Sequence, residues 1–441
     1  MELSDDRFAR SRSTSSLLQR FVPGGAHTYA KGDDQFPEGL APIISHGRGG
    51  HVWDVDGNEY IEYGSGLRSV SLGHAHPRVL QAVRQQLDHG TNFVRPSIIE
   101  VEAAQQFLAT VSTAEMVKFA KNGSDVTTAA VRLARAATDR PLVAICRDQS
   151  PFSTDDWFIG TTLMPAGIPS PVADLTVRFP YGDLEATAEL LRRYDGQIAC
   201  LILEAATQHD PPDGYLAGLR DLAHRHGCVL IFDEMITGFR WSEAGAQGLY
   251  GITPDLSTFG KALGNGFALS ALAGRRDLME LGGLRHPHDR VFLLSTTHGA
   301  ETHALAAAIA VIETYVEEHI TDRLHELGEL LSAGVREVAA AMNVEEHVLV
   351  RGRASNLVFA TLDDNHQPSQ NYRTLFMRQL ILGGVLAPSF VVSSAISEDD
   401  IERTIDVVAQ ACGVYRKALD SQDPLPWMGG RAVKPVLRRF V

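Results

Sequence analysis

Little in this 441-residue chain suits an oxidising compartment, a bilayer or nucleic acid. It has four cysteines, Cys146, Cys200, Cys228 and Cys412, widely separated and without a CxxC pair. That argues against a disulfide framework and leaves a zinc site no ligand spacing, so no metal is expected and the thiols are read as buried and reduced in a cytoplasmic protein. No apolar run reaches the length of a membrane span; the stretch over residues 304–312 is bounded by Glu301 and Glu313. The opening MELSDDRFARSRSTSS is polar and lacks the apolar core of a secretory signal. Positive charge is also in short supply, with 40 Lys and Arg against 54 Asp and Glu and a formal net charge of −14. That balance has the wrong sign for a phosphate backbone, so no nucleic-acid partner is expected.

What is present is ordinary globular composition, 44% hydrophobic and 21% charged. Residues up to about 45 read as a helix followed by an irregular arm punctuated by Pro23, Gly24, Gly25, Pro37 and Pro42. Two β-rich runs, residues 52–55 and 60–63, flank Asp56-Gly57 and predict a hairpin. After Pro77, the residues Val79, Leu80, Val83 and Leu87 share one helical face, and Gly90 ends that helix. From about residue 100 to 312, helices alternate with apolar strands over 117–119, 142–145, 199–203, 229–232 and 269–273. This alternation predicts an α/β fold with a large, mostly parallel sheet. Beyond about residue 320 the pattern becomes a long helix, short strands near 348–350 and 357–360, and a helix over about 398–413, which reads as a smaller α+β domain. The expected division is 1–75 for the arm and a small-domain segment, 76–318 for the large domain, and 319–441 for the C-terminal small domain.

Three local features carry chemistry. The strand in CVLIFDEMITGFR ends in Asp233-Glu234, where parallel sheets present functional groups, although Asp233 alone would equally cap the next element. In PDLSTFGKALGNGF, Lys261 sits among Gly260, Gly264 and Gly266. A desolvated lysine there becomes a nucleophilic amine, whereas an isolated loop lysine is usually solvated. The segment is not a P-loop, because Asp255 and Ala262 stand where that motif needs glycine and a hydroxyl. In KNGSDVTTAAVRLAR, the turn Asn122-Gly123-Ser124 opens a helix whose first N–H groups suit an anion, or simply an N-cap. Lysine, acid and phosphate cradle together are what a pyridoxal 5'-phosphate (PLP) enzyme requires.

The motifs PGGAHTYAKG, VWDVDGNEYIEY, LGHAHP, NGSDVTTAAVRLAR, LIFDEMITGFR, PDLSTFGKALGNGF and SEDDIERTI span nearly the whole chain. In them the chain resembles the class III aminotransferases of PLP fold type I, in particular the glutamate-1-semialdehyde aminomutase-like branch. The resemblance implies that Lys261 is the Schiff-base lysine and proton shuttle, and that Asp233 keeps the pyridine nitrogen protonated. It implies that Met235 packs under the ring, that Asn122, Gly123 and Ser124 form the phosphate turn, and that Thr297 reaches the phosphate of a neighbouring subunit in a homodimer with shared sites. His74 and His76 in GHAHP are then structural rather than metal ligands, and His224 and His226 are expected to be solvated on a surface helix.

The departures from the family pattern fall on the substrate side. Phe152 stands near the place of the aromatic that stacks on the cofactor, and the family's Glu-Pro is Glu204-Ala205. Lys31 replaces an arginine that grips a carboxylate in the aminomutase branch and lacks its planar fork. Leu67, beside Arg68, replaces a pocket tryptophan, and the segment at APSFVVSS is shortened. The expectation is an aminotransferase that moves an amino group from an amino-acid donor to a carbonyl acceptor such as a sugar-like or secondary-metabolite precursor, with Lys31, Arg68, Tyr29 and His298, together with His27 and Glu301, near the substrate. A 2,1-aminomutase, or a PLP-fold binding subunit without catalysis, are the alternatives.

Overall fold

The computed structural model describes residues 5–439. Two compact units emerge, one formed by Met1–Leu67, Ser71–His76 and Asp322–Val441, the other by Arg68–Val70 and Pro77–Thr321. Among the described residues no helix is long and apolar enough to cross a membrane. All four cysteines are buried and unpaired.

The larger unit is built on a seven-stranded sheet. We label its strands β1 (Met116–Ala120), β2 (Leu142–Cys146), β3 (Thr176–Phe179), β4 (Ile198–Leu203), β5 (Val229–Asp233), β6 (Leu256–Phe259) and β7 (Ser270–Gly274). Their spatial order is β1-β7-β6-β5-β4-β2-β3. β7 runs antiparallel to both its neighbours, and the other six strands share one direction. β2, β4, β5, β6 and β7 are buried along their whole length, and β2, β4 and β5 accordingly read as unbroken apolar runs rather than alternating ones. One core joins Val126, Ala130 and Leu133 of the helix Gly123–Thr138 to Val143, Ile202 and Ile231. A second core joins Leu216, Leu219 and Leu222 of the helix Tyr215–Arg225 to Leu201, Leu230 and Phe232. Alternate residues of β5 thus point into opposite cores, as the pleat requires.

Two strands of this sheet escape the sequence reading. β3 is an edge strand whose TVRF carries an exposed Arg178, and β6 is a buried strand whose centre is the polar pair Ser257-Thr258. The strand expected over 269–273 begins one residue later and lies antiparallel in an otherwise parallel sheet. His224 is exposed on its helix, as expected, and its Nε2 also lies 3.1 Å from the buried Asp255 carboxylate, which accepts from Arg275 Nη1 at 2.7 Å.

The other unit contains a four-stranded sheet ordered Ile44–Arg48, His51–Asp54, Glu59–Glu62, Val385–Leu386, the last pair parallel. The hairpin is closed by Asp54, whose carboxylate accepts from the N–H groups of Asp56 and Asn58 and from the Tyr60 hydroxyl. His74 pairs with Glu62 at 3.3 Å. The helices Gln370–Leu382 and Glu398–Ser421 pack against each other.

Candidate active site

Five parallel strands of the larger unit end near one another, and each delivers a group chosen from the sequence. β5 ends at Asp233, β4 is followed at once by Glu204, β6 by Gly260-Lys261, β1 by Asn122-Gly123-Ser124, and β2 leads into the loop carrying Phe152. Convergence at the carboxyl edge is a consequence of parallel pairing.

Asp233 is 1% exposed. Its Oδ1 accepts from the Met235 N–H at 3.0 Å and from Thr258 Oγ1 at 3.1 Å, and its Oδ2 from the Phe152 N–H at 3.4 Å. Burial still raises its pKa, opposed first by the charge of Lys261. Lys261 opens a short 3-10 turn and has φ 45°, a left-handed value. Burial lowers the pKa of its amine, while the carboxylates of Glu204 and Asp233 pull it back up. Glu204 is pushed up to about 8, by burial first and then by the charge of Asp233, with Lys261 and Arg68 opposing. Glu234, beside Asp233, braces the chain that follows β5. Its carboxylate accepts from the N–H groups of Ala246 and Gln247, each at 2.8 Å, and from the Thr237 hydroxyl.

At the helix start, Asn122 and Asp125 form a reciprocal cap, with Asn122 Oδ1 accepting from the Asp125 N–H at 3.2 Å and Asp125 Oδ2 from the Asn122 N–H at 3.1 Å. The side chain of Asn122 is therefore occupied in closing the helix. The N–H groups of Gly123 and Ser124 remain in the first turn, where the helix offers no acceptor. Ser124 Oγ accepts from the Thr154 N–H at 2.9 Å. A Cβ on Gly123 would lie 3.1 Å from Met235 Sδ, and one on Gly260 would lie 2.7 Å from the same sulfur. The two glycines thus hold open the space around Met235.

A buried carboxylate, a desolvated lysine and a glycine-bounded helix start within one strand edge fit a PLP-sized cofactor with a phosphate at one end and a basic ring nitrogen at the other. The family model for aminotransferase class-III matches residues 29–386. The chain belongs to the class III aminotransferases. Their cofactor is pyridoxal phosphate. This class III chain is 32% identical over 420 residues to the glutamate-1-semialdehyde 2,1-aminomutase of Sulfurihydrogenibium azorense, covering 90% of this chain and 97% of that one. It is 34% identical over 424 residues to the protein of the same name from Roseiflexus castenholzii, covering 91% and 96%. Its fold matches an omega-transaminase from Sphaerobacter thermophilus with a TM-score of 0.81 at 25% identity, covering 92% of this chain and 97% of that one. The expected PLP fold type I is thereby shown.

The remaining candidates fall in different places. Phe152 is 52% exposed, with its ring edge-on to Phe158 and centroids 5.5 Å apart. Thr297 and His298 are exposed; Asn92 Nδ2 donates to the Thr297 carbonyl at 3.0 Å, and His298 pairs with Glu301, which also holds Lys121. Among the described residues no hydrogen bond joins either of them to Asp233 or Lys261 of the same chain. Tyr29 and Lys31 lie on an exposed 3-10 turn of the other unit, and His27 just before it is exposed too.

Three features escaped sequence reasoning. Thr258 is fully buried and its register partner across β5/β6 is Asp233. Its signal was a hydroxyl residue three places before the lysine in an otherwise apolar strand. Arg240 is 1% exposed and acts electrostatically on Lys261. The backbone of Ser65, Gly66, Leu67 and Arg68 has φ of 43°, 56°, 60° and 72°, one left-handed turn, and the charge of Arg68 reaches Glu204 and Lys261. Left-handed geometry costs a non-glycine residue roughly 1–2 kcal/mol, and a run of it has no sequence signature.

Proposed function

We propose that this class III protein is an aminotransferase that moves an amino group from an amino-acid donor to a carbonyl acceptor. The observation that carries the reading is the pairing of Asp233, buried and held by three donors, with the desolvated Lys261 across the ends of β5 and β6. When bound, pyridoxal phosphate supplies an aldehyde that captures amines and a ring that accepts the electrons released at the substrate carbon.

The chain's own groups divide the work. Lys261 would hold the cofactor through Nζ and, when free of it, would carry the proton to and from the substrate carbon. Asp233 keeps a proton on the ring nitrogen, and a carboxylate oriented by Thr258, Met235 and Phe152 needs no reorganisation when charge moves. The N–H groups of Gly123 and Ser124 would hold the phosphate, Met235 would pack against the ring and Phe152 would border it, while Glu204 sets the charge around the lysine. Asn122 serves this arrangement by capping the helix.

The transfer reading rests on the substrate side. Lys31 and Leu67 stand where the aminomutase-like branch carries arginine and tryptophan, and Tyr29, Lys31, Arg68 and His298 suit a polar or anionic substrate of the sugar-like or secondary-metabolite class. The second reading, an intramolecular 2,1-aminomutase, is favoured by the names of relatives at 32% and 34% identity. Nitrogen accounting separates them: a transferase consumes one donor and releases one oxo acid per product amine, and an aminomutase consumes none.

The site is shared in a homodimer on this reading. Thr297 lies on a groove of about 590 Å³ with Asn92, Phe93, Val94 and Thr296. The exposed Phe93, Val94, Ile98 and Val101 nearby give that face an apolar character suited to a second copy. Sedimentation of the holoenzyme as a monomer would remove this part of the proposal. The buried, unpaired cysteines support placing the enzyme in the cytoplasm.

A further inference from the structure

We infer that the C-terminal tail, residues 424–439, is a clasp that holds the arm carrying Tyr29 and Lys31, so that Arg431 and Arg438 act as positioning residues for the substrate side of the reaction. The inference rests on the reading that gives Tyr29 and Lys31 to the substrate.

Charge is the first observation. In a chain of net charge −14, residues 424–441 contain Arg431, Lys434, Arg438 and Arg439 and no acidic residue. The arm over residues 29–38 contains Asp33, Asp34 and Glu38. The tail meets all three. Arg431 Nη2 donates to Asp33 Oδ2 at 3.2 Å and to the Asp33 carbonyl at 3.1 Å, and the Arg431 N–H donates to Glu38 Oε2 at 2.8 Å. Arg438 Nη2 donates to the Asp34 carboxylate, and the Lys434 N–H to the Asp34 carbonyl at 3.0 Å. With Asp33 and Asp34 so engaged, no carboxylate among the described residues pairs with Lys31.

Anchoring is the second. Chain ends fray unless they are tied down, and this one is tied. Met428 and Val433 are buried, and the Val433 N–H donates at 2.9 Å to Oγ1 of Thr374, itself fully buried. Gly429 and Gly430, with φ of 69° and 154°, turn the chain between them in geometry that a residue with a Cβ rarely adopts. The arm has little hold of its own. Its two 3-10 turns, Tyr29–Lys31 and Asp33–Gln35, contain no buried residue. A segment that buries so little is placed by its polar contacts, and the tail supplies them at all three of its acids. Partly exposed ion pairs are individually weak, so the clasp works as an assembly of two guanidinium–carboxylate pairs and two main-chain bonds on a buried anchor.

The test joins hydrogen exchange to steady-state kinetics in the full-length holoenzyme. The amides of Lys31, Gly32, Gln35 and Phe36 close the arm's own turns and report its order. In R431Q/R438Q they should exchange about threefold to tenfold faster, the scale of two partly exposed ion pairs, while the hairpin amides of residues 51–62 and the melting temperature stay as in the wild type. Asp34→Arg should loosen the arm likewise, and adding Arg438→Asp should restore much of the protection, because the exchanged charges re-form the pair. For at least one of the two substrates KM should rise about threefold to tenfold in R431Q/R438Q, with kcat within about twofold, and R431K/R438K should stay close to the wild type. Unchanged arm exchange in R431Q/R438Q overturns the clasp, as does a general loss of protection that includes the hairpin. Faster arm exchange with KM unchanged for both substrates overturns the positioning role. An enzyme whose cofactor spectrum answers to no amino donor would remove the aminotransferase reading instead, and arm exchange would still decide the clasp.

Discussion

The Thr258 hydroxyl donates to Oδ1 of Asp233 across 3.1 Å, between residues that are register partners on adjacent parallel strands. Both are buried, Thr258 completely. The sheet itself therefore fixes one oxygen of the carboxylate, and the N–H groups of Met235 and Phe152 complete its shell. Replacing Thr258 with Val keeps the shape and removes the donor. The expected result is about a tenfold loss of kcat with the cofactor still bound, the scale of one hydrogen bond to a charged group. Asp233→Asn should cost more, at least about a hundredfold in kcat, because on the proposed reading it removes the partner of the ring nitrogen's proton. Steady-state rates with unchanged cofactor content check both, and a T258V enzyme with wild-type kcat would show that the sheet-borne donor is dispensable.

Met235 is held between two glycines, and Gly260 leaves it the less room. Gly260→Ala brings a methyl to within 2.7 Å of Met235 Sδ, so the thioether must move from the place beneath the ring that the proposed function gives it. The predicted outcome is weaker retention of the cofactor on dialysis with a largely intact fold. Pairing it with Met235→Ala should recover much of that loss, because the two changes share one contact. Independent, additive effects in the double variant would refute the account of this cradle.

Glu204 links the site to stability. Burial and the charge of Asp233 push its pKa from 4.5 up to about 8 in the folded protein. A carboxyl whose pKa is raised by folding stabilises the fold fully below its unfolded value, and that contribution is lost as pH rises through the folded value. Cofactor-free wild type should therefore lose stability between about pH 4.5 and pH 8 through this group, and Glu204→Gln should not. Melting curves should nearly coincide near pH 4 and diverge at about pH 9, with the variant several degrees higher. Equal curves at both values would contradict the raised pKa.

Much of the site was legible because its residues interrupt strong patterns. Asp233 ends the apolar run VLIF, and Lys261 sits in a run of glycines that no ordinary strand or helix would carry. The apolar strands β2, β4 and β5 were legible for the same reason, since a sheet covered on both faces leaves no alternation to confuse. β6 was not, because its centre is given over to Ser257 and to Thr258, which serves Asp233, and propensity reads that polarity as loop. β3 lay at the edge, where a single face and Arg178 dilute the signal. The left-handed turn at residues 65–68 could not be read at all, because its one glycine announces a single positive φ and not four. The double use of Asn122 was half legible: the cap was expected from residue type, but its reciprocal bond with Asp125, which occupies the side chain, is a matter of geometry.

The most direct test of the central claim is the visible absorption of the holoenzyme, followed while single amino-acid donors are added without acceptor, together with assay of the oxo acid released. The account predicts a band from the cofactor held on Lys261 that is absent in Lys261→Ala, that bleaches with at least one donor, and that returns when a carbonyl acceptor is supplied, with one oxo acid formed per site. A band that is unchanged in Lys261→Ala, or that bleaches without release of any oxo acid, would contradict it.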